Sequence, residues 1–162
     1  MTQPVQPPPS GNPFADGVGY PNAPAPAPVR DNVGLGVAAA FGVALVTAGI
    51  YGAIVGATEY QIGFAAVGVG YLIGLVAGKI GGRNPALPVV AAILSLGAVY
   101  LGQLLGLAIV GADLLKTTVS ELFFQNFDLL MEGWKEEAGP MTFLFLAIGA
   151  FAAFSAAKKS AA

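Results

Sequence analysis

Four long apolar stretches, separated by polar breaks, dominate the pattern of hydrophobic and polar positions along the chain. They cover residues 33–57, 60–80, 87–112 and 141–157. A helix needs about 20 mostly apolar residues to cross the hydrocarbon core of a bilayer. Lys79 lies at the end of the second stretch, where a long side chain can reach the lipid headgroups. The pattern predicts an all-α membrane domain over 33–157 with four transmembrane helices, of which the fourth is the shortest.

The segment between the third and fourth stretches, residues 113–137, has a different pattern. Its apolar residues recur at steps of three and four: Leu115, Val119, Leu122, Phe123, Phe127, Leu130, Met131 and Trp134. This spacing predicts one external amphipathic helix that lies flat on the membrane, with Trp134 at headgroup depth. Six acidic residues outnumber two lysines here. The segment is therefore interpreted either as an interfacial connector or as a docking platform for a basic partner.

Both ends of the chain lie outside the apolar stretches. Residues 1–32 contain nine of the twelve prolines and no long apolar run. Such a segment cannot bury enough apolar surface to offset the entropy of ordering. It is predicted to be a disordered proline-rich cytoplasmic tail. Residues 158–162 are predicted to form a short basic C-terminal tail.

The composition is typical of a membrane protein and excludes most catalytic mechanisms. Only 10% of the residues are charged and 56% are hydrophobic, whereas soluble domains carry about 25% charged residues. The chain has no cysteine and no histidine, so it lacks thiolate chemistry and the commonest general base and metal ligand. No phosphate-binding motif or basic nucleic-acid patch occurs. We therefore expect no enzymatic activity, no cofactor, no metal site and no nucleic-acid partner.

The positions of the basic residues predict an orientation. If the N-terminus faces the cytoplasm, five of the seven basic side chains fall on the cytoplasmic side. These are Arg30, Lys79, Arg83, Lys158 and Lys159. Cytoplasmic loops of membrane proteins are enriched in lysine and arginine. The sequence thus predicts that both termini lie in the cytoplasm.

Small residues at four-residue steps occur in every predicted span. Membrane helices associate closely where such residues let the backbones approach. The series are Ala48, Gly52 and Gly56; Gly70, Gly74 and Gly78; Ala98, Gly102 and Gly106; and Gly149, Ala153 and Ala157. They indicate either packing of the four helices within one chain, or one groove left for a homo-oligomer or a partner helix.

Few polar side chains fall within the predicted spans, and these are the residues to consider for function. Thr47, Ser95 and Gln103 are uncharged, and Glu59 lies at a predicted interface. A buried amide needs hydrogen-bonding partners. Gln103 is therefore expected either to form a hydrogen bond between helices or to line a solute path.

One glycine-rich pattern resembles a known class of proteins. Tyr60-x-Ile62-Gly63 is followed by glycines at 68, 70 and 74, a glycine-rich turn and an alanine-rich span. Over residues 35–110 this resembles small bacterial multi-pass membrane proteins of uncharacterised function. The proline-rich tail with its basic flank is similar to the cytoplasmic tails of actinobacterial membrane proteins. The resemblance implies a bacterial inner membrane and transfers no activity and no functional residue.

Two functional hypotheses remain. The first is a non-enzymatic scaffold or accessory subunit of a membrane assembly, supported by the dense small-residue series and the acidic external segment. The alternative is an oligomeric channel or small-solute transporter with a pore between protomers, lined by Gln103, Ser95 or Thr47.

Overall fold

The computed structural model describes residues 32–161, which form six α-helices and no β-strand. The helices are α1 (Val33–Thr58), α2 (Gly63–Gly81), α3 (Ala86–Leu115), α4 (Val119–Phe124), α5 (Phe127–Glu137) and α6 (Pro140–Ser160). Apart from Asn32, the predicted disordered tail lies outside the described residues.

Four of the helices, α1, α2, α3 and α6, are long and apolar enough to cross a membrane. This confirms the predicted all-helical class and the number of candidate spans for the described residues. Four such helices indicate a multi-pass membrane protein. The fourth helix is longer than predicted, with 21 residues. It begins at Pro140, a residue suited to the first helical turn. It continues through Lys158 and Lys159, which therefore belong to its last turn and not to a separate tail.

The prediction of one amphipathic helix over residues 113–137 is wrong in detail. The first three residues of that segment belong to α3, and the rest forms two helices, α4 and α5. Lys116 ends α3 in the left-handed conformation, with a φ of 56°. Thr118 and Glu121 then begin α4 with a reciprocal capping box. Asn126 adopts non-helical backbone angles between α4 and α5, as asparagine does readily.

The four long helices pack as a bundle with two central members. Helices α2 and α3 contact each other, and each also contacts both α1 and α6. Within the described residues, α1 and α6 do not meet. Successive spans alternate in direction, so α1 runs parallel to α3 and α2 runs parallel to α6. These two parallel pairs form the most extensive packing in the bundle.

The core consists mainly of small side chains, with a few larger ones at specific places. Alanines from all four long helices are buried, together with Tyr51, Ile73 and Val99. A second cluster joins the C-terminal half of α3 to α4 and α5, where Leu104 and Ala108 meet Leu122 and Leu130. The α4–α5 segment is therefore fixed to the bundle by its apolar face.

Charged residues separate to the two ends of the bundle. The basic end has Lys79, Arg83, Lys158 and Lys159 and no acidic residue among the described positions. The acidic end comprises the C-termini of α1 and α3 together with α4 and α5. It has seven acidic residues and two lysines.

Candidate functional site

Helices α2 and α6 cross with almost no side chain between them. A methyl group added at Gly70 or Gly74 would overlap the carbonyl oxygen of Gly149 or Ala153, respectively. At Gly78 it would overlap the carbonyl oxygen of Ala157. The matching four-residue steps hold the two backbones in contact over two helical turns.

Helices α1 and α3 use their small residues differently, as holes for side chains of the opposite helix. A Cβ atom at Gly52 would lie 2.7 Å from Leu105, and one at Gly106 would lie 2.5 Å from Val55. Gly56 faces Ile109 in the same way, and Gly102 faces Tyr51. Ala48 is buried, and its carbonyl oxygen lies beside Gly102. The glycines of the predicted packing series thus face another helix of the same chain.

Of the polar side chains predicted within the spans, Thr47 forms a hydrogen bond within its own helix and Ser95 is enclosed in the bundle. The Thr47 hydroxyl donates to the carbonyl oxygen of Val43 at 2.7 Å, within its own helix. Ser95 is fully buried, and its hydroxyl lies next to Gly70 and Gly149. That hydroxyl has no hydrogen-bond partner. A small side chain at Ser95 leaves room for the α2–α6 crossing.

Gln103 joins α3 to α5. Its side-chain oxygen accepts a hydrogen bond of 2.9 Å from the indole N–H of Trp134. Gln103 is 3% exposed and Trp134 is partly exposed, so the acceptor of this bond is shielded from solvent, which strengthens a hydrogen bond. The sequence predicts only that Trp134 lies at headgroup depth. In the structure, its indole N–H is used to attach α5 to the bundle.

Aromatic residues surround this bond. The Trp134 ring meets Tyr100 edge-on at 4.9 Å and Phe143 at 6.2 Å between centroids. The Tyr100 hydroxyl lies 2.7 Å from the sulfur of Met131. Tyr100 and Gln103 are three residues apart and so share one face of a helix. Met131 and Trp134 are also three residues apart. These two equal spacings are the sequence signal for the contact between α3 and α5. We call these five residues the Trp134 anchor.

A small cavity with a mixed polar and apolar lining lies beside the Trp134 anchor. Its volume is about 170 Å³, and its polar lining comes from Tyr51, Gln61, Gln103 and Thr142. Ligand pockets usually measure about 300–1,000 Å³. At the acidic end, the Gln61 amide donates to the Glu137 carboxylate at 3.3 Å. The cavity is therefore suited to a few water molecules and not to an organic solute.

Glu59, predicted at an interface, ends α1. It adopts a φ of 58°, and its N–H donates to the carbonyl oxygen of Val55. Its side chain is exposed at the acidic end. Glu59 therefore has the position of a helix terminator, and its carboxylate is outside the bundle.

The exposed face of α4 and α5 carries five carboxylates, together with the exposed apolar side chains of Phe124, Phe127 and Leu129. Its carboxylates belong to Glu121, Asp128, Glu132, Glu136 and Glu137, all of which are exposed. Hydrogen bonds from the Thr117 hydroxyl and the Thr118 N–H hold the pKa of Glu121 below its usual range. We call this exposed face the acidic platform. It can attract a basic surface.

Comparison with known proteins assigns no family to this chain. No family model, curated protein or solved structure matches it. Among residues 32–161, no group of three or more acidic side chains is arranged to hold a metal ion.

Proposed function

We propose that the protein is a non-enzymatic scaffold or accessory subunit of a membrane assembly, and that the acidic platform binds its partner. The observation that carries this proposal is that α4 and α5 pack on the bundle with one face and expose their carboxylates on the other. Leu122 and Leu130 are buried against α3, whereas the carboxylates face outward. The charged surface is thus held in a fixed position, which lowers the entropic cost of binding a partner.

The alternative function, a channel or transporter with a pore between protomers, receives less support. It requires Thr47, Ser95 or Gln103 to face a neighbouring protomer. All three side chains are buried within one chain. Carboxylates in the middle of a membrane span often mark ion or proton pathways. Among residues 32–161, the only carboxylate in the four candidate spans is that of Asp113, near the end of α3.

The test of the partner role is co-purification of the tagged full-length chain from its native membrane in mild detergent. We expect a stable complex whose partner presents a basic surface. Changing Asp128→Asn, Glu132→Gln and Glu136→Gln together should release that partner, because three charges of the platform are lost. Raising the salt concentration to about 0.5 M should also weaken the complex, since salt screens exposed charges.

A matched control changes charge at the same end without removing acidic residues. Lys116→Gln and Lys135→Gln should leave the complex intact. A wild-type chain that elutes alone, or a complex that survives the triple substitution and high salt, would contradict the proposal.

The proposed location is a bacterial inner membrane, with both termini in the cytoplasm. The support is the separation of charge between the two ends of the bundle, since basic residues favour the cytoplasmic side. Reporter fusions after Ala86 should be active in the cytoplasm, and fusions near Glu137 should be active outside it. The reverse pattern would refute this orientation, and a chain found in another membrane would refute the location.

A further inference from the structure

A crevice opens sideways between α2 and α6, beginning at the basic end. Its volume is about 410 Å³. Lys79 and Lys159 lie at its rim, and below them it is lined by Tyr71, Leu75, Ala152, Ser155, Ala156 and Ser160. The small residues of α6 leave space that the larger side chains of α2 do not fill.

The two lysines lie at the same depth, because the contact of Gly78 with Ala157 brings the ends of α2 and α6 together. Both side chains are exposed. From Lys79 to Tyr71 there are eight residues, or about 12 Å of helix. The hydrocarbon of one leaflet is about 15 Å thick. The crevice therefore extends from the headgroup region through most of one leaflet.

The charge around the rim is positive. Arg83 and Lys158 lie at the same end of the bundle and line a neighbouring crevice, which also includes Lys159. The described residues place no acidic side chain at this end. Lys158 lies 5.5 Å from the centre of the Phe154 ring and is not part of the α2–α6 rim. Lys79 and Lys159 are thus the pair available to an anion in this crevice.

We propose that the crevice between α2 and α6 is a binding site for one anionic phospholipid. Its phosphate lies between Lys79 and Lys159, and one acyl chain packs against Tyr71, Leu75 and Ala152. Ser155 lies about one turn below Lys159, at the depth of the glycerol esters, where its hydroxyl can donate to an ester carbonyl. Basic pockets between transmembrane helices favour anionic headgroups.

Other occupants fit this crevice less well. Inorganic phosphate would use only the rim and would gain nothing from the apolar walls. A zwitterionic phospholipid would bring its own cation towards two lysines. The crevice is at the opposite end from the acidic platform, so the lipid site neither depends on nor tests the proposed partner role.

The test uses the purified full-length protein in mild detergent, with bound lipid counted by native mass spectrometry. Dioleoyl phosphatidylglycerol and dioleoyl phosphatidylcholine are titrated separately. We expect one saturable phosphatidylglycerol per chain, bound at least about tenfold more tightly than phosphatidylcholine, given the attraction that each basic side chain supplies near a membrane surface. Equal affinity for the two lipids would overturn the proposal.

Variants show whether binding occurs in this crevice. Lys79→Gln with Lys159→Gln should remove the preference for phosphatidylglycerol, and Lys79→Arg with Lys159→Arg should retain it. The matched control, Arg83→Gln with Lys158→Gln, removes the same charge from the same end and should retain most of the preference. If the control loses as much affinity as the Lys79 and Lys159 pair, the attraction is diffuse and the proposed site is wrong.

A further variant fills the crevice without changing any charge. Ala152→Phe should weaken phosphatidylglycerol binding by about tenfold, because it occupies the space of one acyl chain. Ala152→Leu takes its place if the phenylalanine variant does not elute as a folded monodisperse species. Inorganic phosphate should not displace the lipid. Unchanged binding in the filled variant, or displacement by millimolar phosphate, would overturn the proposal.

Discussion

Replacing Gly74 by alanine is expected to lower the free energy of unfolding by about 2–3 kcal/mol, in the range found for overpacked cores. The added methyl group would overlap the carbonyl oxygen of Ala153. A backbone atom cannot rotate away as a side chain can, so α2 and α6 must separate. The loss is measured by unfolding the purified chain with increasing mole fractions of a denaturing detergent, monitored by circular dichroism.

Gly68→Ala is the matched control for this experiment. Gly68 lies in the same helix, and a Cβ atom there would have no heavy atom within 4 Å. Alanine has a higher helix propensity than glycine, so the control should keep or raise the stability by up to about 1 kcal/mol. Equal losses in the two variants would show that the α2–α6 crossing is not as close as described.

Replacing Gln103 by leucine should loosen α5 from the bundle. The indole N–H of the partly exposed Trp134 would lose its acceptor, and the expected cost is about 1 kcal/mol, at the lower end of the range for an unpaired buried donor. Trp134 is the only tryptophan of the chain, so its fluorescence reports on this contact directly. We expect a shifted emission maximum and stronger quenching by acrylamide. Hydrogen exchange should also become faster in residues 127–137.

The matched control is Gln61→Leu, the same substitution at the edge of the same cavity. Gln61 bonds to Glu137 and not to Trp134, so the emission should stay unchanged. Trp134→Phe removes the donor but keeps an aromatic ring. A double-mutant cycle of Gln103→Leu with Trp134→Phe should therefore give a coupling energy of about 1 kcal/mol. A coupling energy of zero would contradict the described hydrogen bond.

The capping residues show how much local structure could be predicted between the third and fourth spans. Thr118 and Glu121 have the spacing of a capping box, and they form one. This signal predicts a helix start at residue 119. The hydrophobic period alone predicts continuous helix through the segment, because it does not detect the left-handed Lys116 or the break at Asn126.

The contact between Gln103 and Trp134 shows where reasoning from the sequence stops. The need of Gln103 for a partner follows from its place in an apolar span. The identity of that partner depends on how α5 folds back on α3, over a separation of 31 residues. The same limit applies to the crevice between α2 and α6, which exists only because these two helices are neighbours.

For residues 32–161, the sequence alone determines that the segment is helical, that it has four helices able to cross a membrane, and that its two ends are oppositely charged. These properties depend on the length, hydropathy and charge of contiguous segments, so no contact between segments is needed to predict them. Only the tertiary structure decides which small-residue series meet. Every span has such a series, and the choice among pairings depends on the rotation and depth of each helix. In this protein the parallel pairs α1–α3 and α2–α6 use all four.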